Sequence, residues 1–163
     1  MILRTIALAC VLLTAAACDD GPGAPHVGEP MRPFSAKALT GGSVDLPAAA
    51  AGKVVVLRFW ATWCAFCKDE MKAIEPVWTK NRDKGLLVLA VNAGQGAADI
   101  GPFVAELGVT YPILLDPGSK ITRGHGVTGL PMTFFIDREG KVRNRILGEA
   151  DEATFRRIVE ELL

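Results

Sequence analysis

Residues 53–71 read KVVVLRFWATWCAFCKDEM, and this stretch decides the fold. Lys53–Trp60 is a β-branched and aromatic run of strand length without polar alternation, the pattern of a strand covered on both faces. Beyond it a helix is predicted from about Cys64 to Asn81, with Pro76 kinking it or marking its last turns. Two cysteines three positions apart, where a strand gives way to a helix, are a redox signature. On a helix, positions i and i+3 share a face and their Cα atoms come within disulfide reach. Unpaired N–H groups and the positive dipole end at a helix N-terminus stabilise a thiolate there. Cys64 is therefore the expected nucleophile, and the deeper Cys67 the residue that resolves a mixed disulfide.

Outward from this motif the chain alternates strands and helices. Upstream, Phe34–Ala38 and Ser43–Leu46 flank Thr40-Gly41-Gly42, a hairpin signal. Downstream, Gly85 ends a connection and Leu86–Asn92 is a second buried strand. Ile100, Phe103, Val104 and Leu107 give Ala98–Leu107 one apolar face, with Gly108 as its C-cap. Tyr111–Asp116 reads as a short strand and Ser119–Arg123 as a helical turn. Met132–Asp137, the turn Arg138–Gly140 and Lys141–Leu147 form a second hairpin. Asp151 caps a last helix whose apolar face is Phe155, Ile158, Val159 and Leu162. This order predicts an α/β fold, a mixed sheet covered by helices on both faces.

The chain has 163 residues, half of them hydrophobic and 22% charged, which points to one folded domain rather than a disordered chain. Eighteen basic residues balance eighteen acidic ones, so the basic excess of a nucleic-acid binder is missing. Four cysteines are too few for a disulfide-dense scaffold. Arg4 followed by the small, apolar run Thr5–Ala17 is the pattern of an export signal. Cys18 follows Ala15-Ala16-Ala17 directly, as in a bacterial lipoprotein box, although Ala15 stands where that box prefers Leu. With Cys10 in the leader and Cys64 paired to Cys67, an unlipidated Cys18 is a stray thiol, so lipid attachment at Cys18 is expected. Residues 1–17 are thus assigned to a signal peptide, 18–30 to a flexible Gly/Pro-rich tether carrying a solvated His26, and 31–163 to the folded domain.

Other chemistries fit the cysteine pair less well. A structural zinc site needs four ligands, against one cysteine pair and two scattered histidines. Covalent haem attachment needs His after the second cysteine, where Lys68 stands. A Cu(I) metallochaperone needs only soft sulfur ligands, yet no Met or His cluster accompanies the pair. No metal is expected, and no cofactor beyond the Cys64–Cys67 disulfide itself.

The motifs LRFWATWCAFCKDEM, LAVNAG, YPILLD and GLPMTFFIDREGKV occur in that order. Together they resemble the membrane-tethered, thioredoxin-like thiol–disulfide oxidoreductases of the TlpA/ResA group over about residues 30–163. The resemblance implies a thioredoxin fold with an N-terminal β-hairpin and extra elements before a cis-proline. It implies disulfide exchange with other exported proteins, apocytochrome c among them, and a membrane electron-donor protein that keeps the pair reduced. It places the protein on the periplasmic face of the inner membrane through its lipid. Cys64 and Cys67 match the redox pair, Pro131 the cis-proline, Leu130 the residue whose backbone pairs with substrate, and Trp63 the flanking aromatic.

Three positions depart from that pattern. Phe66 replaces the usual Pro before the second cysteine, in the dipeptide that tunes the potential. Gln95 stands where ResA-like members carry Glu, and a neutral amide accepts no proton. Arg58 replaces Asn or Asp on the central strand. Its head either snorkels out or pairs with a carboxylate, or else it is a fixed cation beneath the pair that favours the thiolate. Lys68, Asp69 and Glu70 are open candidates for a general base, and His125 reads as a solvated loop residue. A peroxiredoxin-like peroxidase is the alternative enzyme, but its Pro-x-x-x-Thr-x-x-Cys loop is unmatched: Ala61 and Leu57 occupy the Thr and Pro positions.

Overall fold

The structure is a computed structural model and describes residues 23–163. The leader, Cys18 and the first part of the tether lie outside the described residues. The strands are β1 (Phe34–Ala38), β2 (Ser43–Leu46), β3 (Val54–Trp60), β4 (Leu86–Gly94), β5 (Ile113–Pro117), β6 (Met132–Ile136) and β7 (Val142–Leu147). The helices are α1 (Cys67–Asn81), α2 (Ala97–Leu107), α3 (Lys120–Gly124) and α4 (Glu152–Leu162). One seven-stranded sheet has the order β2-β1-β5-β4-β3-β6-β7. β3, β4 and β5 run parallel, whereas β6 is antiparallel to β3 and β1 to β5.

The uninterrupted apolar run of β3 follows from this order, because all seven of its residues are buried. Val54, Val56 and Trp60 face the layer that holds Ile74 and Val77 of α1, Ile100 of α2 and Phe155 and Ile158 of α4. Val55, Leu57 and Phe59 face the opposite layer with Leu89, Phe134 and Ile136. That second face is covered by the β1–β2 hairpin, Met31, and Ile121 of the short α3. Each fully buried Val, Leu or Phe contributes about 1.5–3 kcal/mol of transfer free energy, so β3 is the most heavily anchored element. Asp151 caps α4 as expected, accepting the Thr154 N–H at 2.8 Å.

The elements differ from the sequence reading at two boundaries. α1 begins at Cys67 and not at Cys64, because residues 64–67 close a tighter turn in which the Cys67 N–H donates to the Cys64 carbonyl at 3.1 Å. Pro76 sits on the exposed side of α1, and the helix runs through it to Asn81. The tether also ends earlier than residue 30. The Gly28 N–H donates to the Val142 carbonyl at 2.7 Å, Glu29 accepts from the Val142 N–H, and Pro30 bridges Lys141. Pro25 is buried. Residues 24–30 are thus strapped to the edge strand β7, where a free row of backbone groups invites pairing. Their Gly/Pro composition hid this, since the pairing is through backbone atoms.

Candidate active site at the junction of β3 and α1

β3 delivers the chain into the turn Thr62–Trp63, then Cys64, then α1. Cys64 and Cys67 form a disulfide with Cα atoms 5.4 Å apart. Cys64 is 6% exposed and Cys67 fully buried, while the flanking Trp63 and Phe66 are 70% and 52% exposed. Cys64 is thus the less buried of the two and is flanked by two uncovered aromatic side chains. Cys67 is closed off among Met71, Ile74 and the rest of the helical layer.

The opposite lip is the turn before β6. Phe59 pairs with Met132 in antiparallel register, so the residues that follow β3 and those that precede β6 leave the sheet side by side. The Leu130–Pro131 peptide is cis, as the resemblance implies, and the Pro131 carbonyl accepts the Gly148 N–H at 2.9 Å. A groove of about 410 Å³ is lined by Trp63 and Leu130 together with Thr122, Arg123, Val127 and Thr128.

Arg58 lies beneath this surface on the helical side of β3, fully buried. Of the alternatives open from sequence, pairing with a carboxylate is the one observed. Its Nη2 donates to Glu70 Oε2 at 2.5 Å and its Nη1 to Thr133 Oγ1 at 3.1 Å. The other Glu70 oxygen accepts the Ala150 N–H at the entry to α4. Glu70 is one turn beyond Cys67 on the same buried face of α1. Arg58 is thus no unbalanced cation under the cysteines but half of a neutral pair joining β3, β6, α1 and α4. Glu70 is likewise committed to this pair. Lys68 is tied to Glu106 of α2 at 2.6 Å, and that hydrogen bond holds the ammonium above its ordinary pKa, the wrong direction for a base.

A second polar cluster flanks the turn itself. Gln95 Oε1 accepts the Thr62 N–H at 2.8 Å and Asn92 Nδ2–H at 3.1 Å, and Gln95 Nε2 donates to Thr62 Oγ1 at 2.7 Å. Asn92 and Thr62 were missed in the sequence; the available signal was Asn92, a polar residue ending the apolar run LLVLAVN. His125 is a correction: it is buried, not solvated, and stands away from the disulfide. Its ring packs 5.4 Å from Phe34 and 5.5 Å from Phe59. Its nitrogens lie 2.7 Å from the Ile121 carbonyl and 3.2 Å from that of Arg32. Burial lowers its pKa. Among the described residues no cluster of three or more His, Cys, Asp or Glu side chains gathers to hold a metal.

Residues 27–145 match the model of the AhpC/TSA family. The chain belongs to this family. Within it, the chain is of the TlpA/ResA type. It is 39% identical over 98 residues to the thiol-disulfide oxidoreductase ResA of Bacillus anthracis, across 60% of this chain and 57% of that one. The chain thus spans little more than half the length of the curated relatives it matches. Two solved structures cover more. A putative protein disulfide isomerase from Bacteroides thetaiotaomicron superposes with a TM-score of 0.78 at 31% identity, over 85% of this chain and 91% of that chain. A putative thiol:disulfide interchange protein DsbE from Chlorobium tepidum gives 0.79 at 30%, over 85% and 99%. The fold of this family member is the thioredoxin fold, with the β1–β2 hairpin added at one edge and α2 inserted between β4 and β5.

Proposed function

We propose that the protein is an exported thiol–disulfide oxidoreductase that reduces disulfides in other exported proteins, apocytochromes c among the candidate substrates. The reading rests most on one observation. A Cys64–Cys67 disulfide sits where β3 meets α1, its outer cysteine flanked by the exposed Trp63 and Phe66, with the cis Leu130–Pro131 bond on the facing lip.

In the reduced protein the Cys64 thiolate attacks one sulfur of the partner disulfide. The partner's second sulfur leaves as thiolate with the electron pair, and a mixed disulfide through Cys64 results. Leu130 and Pro131 orient the partner segment along the groove, and Trp63 packs against it. Cys67 loses its proton and attacks the Cys64 sulfur. The partner's first thiolate then leaves, and the Cys64–Cys67 disulfide is restored. Two electrons have passed to the partner, and a membrane electron-donor protein returns them. Phe66, between the cysteines, tunes the potential. A lipid on Cys18 holds the protein to the periplasmic face of the inner membrane. No helix of the described residues is long and apolar enough to cross a membrane. Peroxide reduction has less support: Ala61 and Leu57 supply neither the hydroxyl nor the turn that activates a peroxide.

The test is trapping. Cys67→Ala blocks resolution, so mixed disulfides through Cys64 accumulate in cells and are recovered with the protein; their absence overturns the proposal. The equilibrium potential of the pair, titrated against dithiothreitol or glutathione, gives the direction. A value near or below about −230 mV fits a reductant, and one of about −120 to −180 mV an oxidant or isomerase.

A further inference from the structure

Two glycines bracket Gln95, and both have a structural task. Gly94 adopts φ +88°, and a Cβ there would lie 2.8 Å from Ser119 Oγ. Gly96 is the extended N-cap of α2, and its N–H donates to Asp99 Oδ2 at 3.2 Å. The chain therefore leaves β4, turns sharply, and starts a helix within three residues. Gln95 is the residue this turn projects, and its own N–H is fixed by Asn92 Oδ1 at 3.1 Å. Asn92 is in turn fully buried and in register with Trp60, the last residue of β3. A rigid support thus holds one amide side chain against Thr62, two residues before Cys64. The amide meets Thr62 with both of its ends, oxygen to the backbone N–H and nitrogen to the hydroxyl.

We propose that Gln95 is a positioning residue of the redox centre. It clamps the Thr62–Cys64 turn so that the Cys64 sulfur is presented to Cys67 and to the partner, and it does so without placing a charge beside the thiolate. The inference deepens the exchange reading of Cys64–Cys67 and rests on it. An amide makes these contacts without adding charge. A carboxylate can make the same contacts, accepting from the Thr62 N–H, the Thr62 hydroxyl and Asn92 Nδ2–H, but it brings a negative charge that disfavours a neighbouring thiolate. An apolar side chain of equal length leaves the charge unchanged and drops every contact. The two replacements therefore separate position from electrostatics.

The experiment compares the whole protein with its Gln95→Met and Gln95→Glu variants. Reduced protein reacts at Cys64 with dithiobis(nitrobenzoate): the Cys64 thiolate takes one half as a mixed disulfide, the other half leaves as thionitrobenzoate, and the second release, on ring closure, is followed by absorbance. The Cys67 thiolate attacks the Cys64 sulfur, and thionitrobenzoate leaves with the electron pair. Alkylation of the reduced protein across pH gives the midpoint of Cys64. Gln95→Met is expected to slow closure roughly tenfold, the scale of a sub-ångström to ångström misplacement of a reacting atom. Gln95→Glu is expected to close at the parent's rate and to raise the alkylation midpoint by about half a unit or more. Closure of Gln95→Met at the parent's rate overturns the proposal, as does slow closure in Gln95→Glu or an unmoved midpoint there. Should Gln95→Met fail to fold, Thr62→Val removes the hydroxyl leg alone. A two- to threefold loss in closure then supports the clamp, and an unchanged rate overturns it. Neither assay needs a natural partner. A parent that closes normally yet traps no partner in cells refutes the exchange reading and leaves the clamp standing.

Discussion

Two polar clusters grip the start of α1, and they differ in kind. The inner one is ionic: Arg58, Glu70, Thr133 and the Ala150 amide, closed from solvent under the helix. The outer one is neutral: Asn92, Gln95 and Thr62, partly open beside the turn. A charge taken out of water is tolerated only with its partner, so the inner cluster is all or nothing. Amide and hydroxyl groups exchange water bonds for protein bonds at small net gain, so the outer cluster can set geometry at little cost in stability when it is lost. One cluster holds the fold together and the other aims the sulfur.

The sharpest way to break this contrast is to strand one charge. Glu70→Leu leaves Arg58 buried with Thr133 alone, and a loss of about 3–5 kcal/mol is expected in urea unfolding. Removing both charges as Arg58→Met with Glu70→Leu is expected to recover most of that loss. Because a balanced pair presents no net charge to Cys67, this double variant should also keep the parent's reduction potential to within about 30 mV. A potential shift well beyond that would show that the pair does act on the sulfur. In the outer cluster, Thr62→Val is expected to cost only about 1 kcal/mol in the same unfolding experiment. A loss as large as that of Glu70→Leu would erase the distinction.

His125 offers a smaller effect with a defined sign. Burial depresses its folded pKa, so just below the unfolded value of about 6.5 the unfolded chain binds more protons. Stability is full above that value, falls as pH drops through it, and levels off below the folded pKa. Arg32 and Asp116 act on the ring in opposite directions. His125→Asn is expected to flatten the urea midpoint between pH 5 and pH 7. Least of all should come from Lys68 and Glu106, both exposed to solvent. Glu106→Gln is expected to let the Lys68 pKa fall toward its ordinary value with no measurable change in unfolding.

The parts of this architecture that depend on neighbours in the chain were legible in the sequence. The buried β3 run, the paired cysteines, the glycine-turn hairpins and the Asp151 cap are all local. The cis bond before Pro131 came from resemblance and not from residue physics. What stayed hidden depends on facing and distance. Arg58 meets Glu70 only because strand and helix periods bring residues twelve apart onto one interior surface. Gln95 meets Thr62 across thirty-three positions, through a turn that two glycines set. The strap of residues 24–30 on β7 is hardest to see, being made of main-chain bonds that no side chain announces. His125 looked solvated because two glycines flank it, yet the aromatic rings that enclose it come from β1 and β3.

That strap also fixes where the chain enters the fold. Ala24 lines a small cleft with Val127, Thr128 and Leu147, and Val127 and Thr128 also border the groove beside Trp63. The point of entry is therefore at the working end of the molecule rather than behind it. Under the proposed anchor at Cys18, the stretch back to Gly23 spans at most roughly 18 Å when fully drawn out. A lipid at Cys18, as proposed, would therefore hold the molecule by the end that carries the groove, and not by its far side.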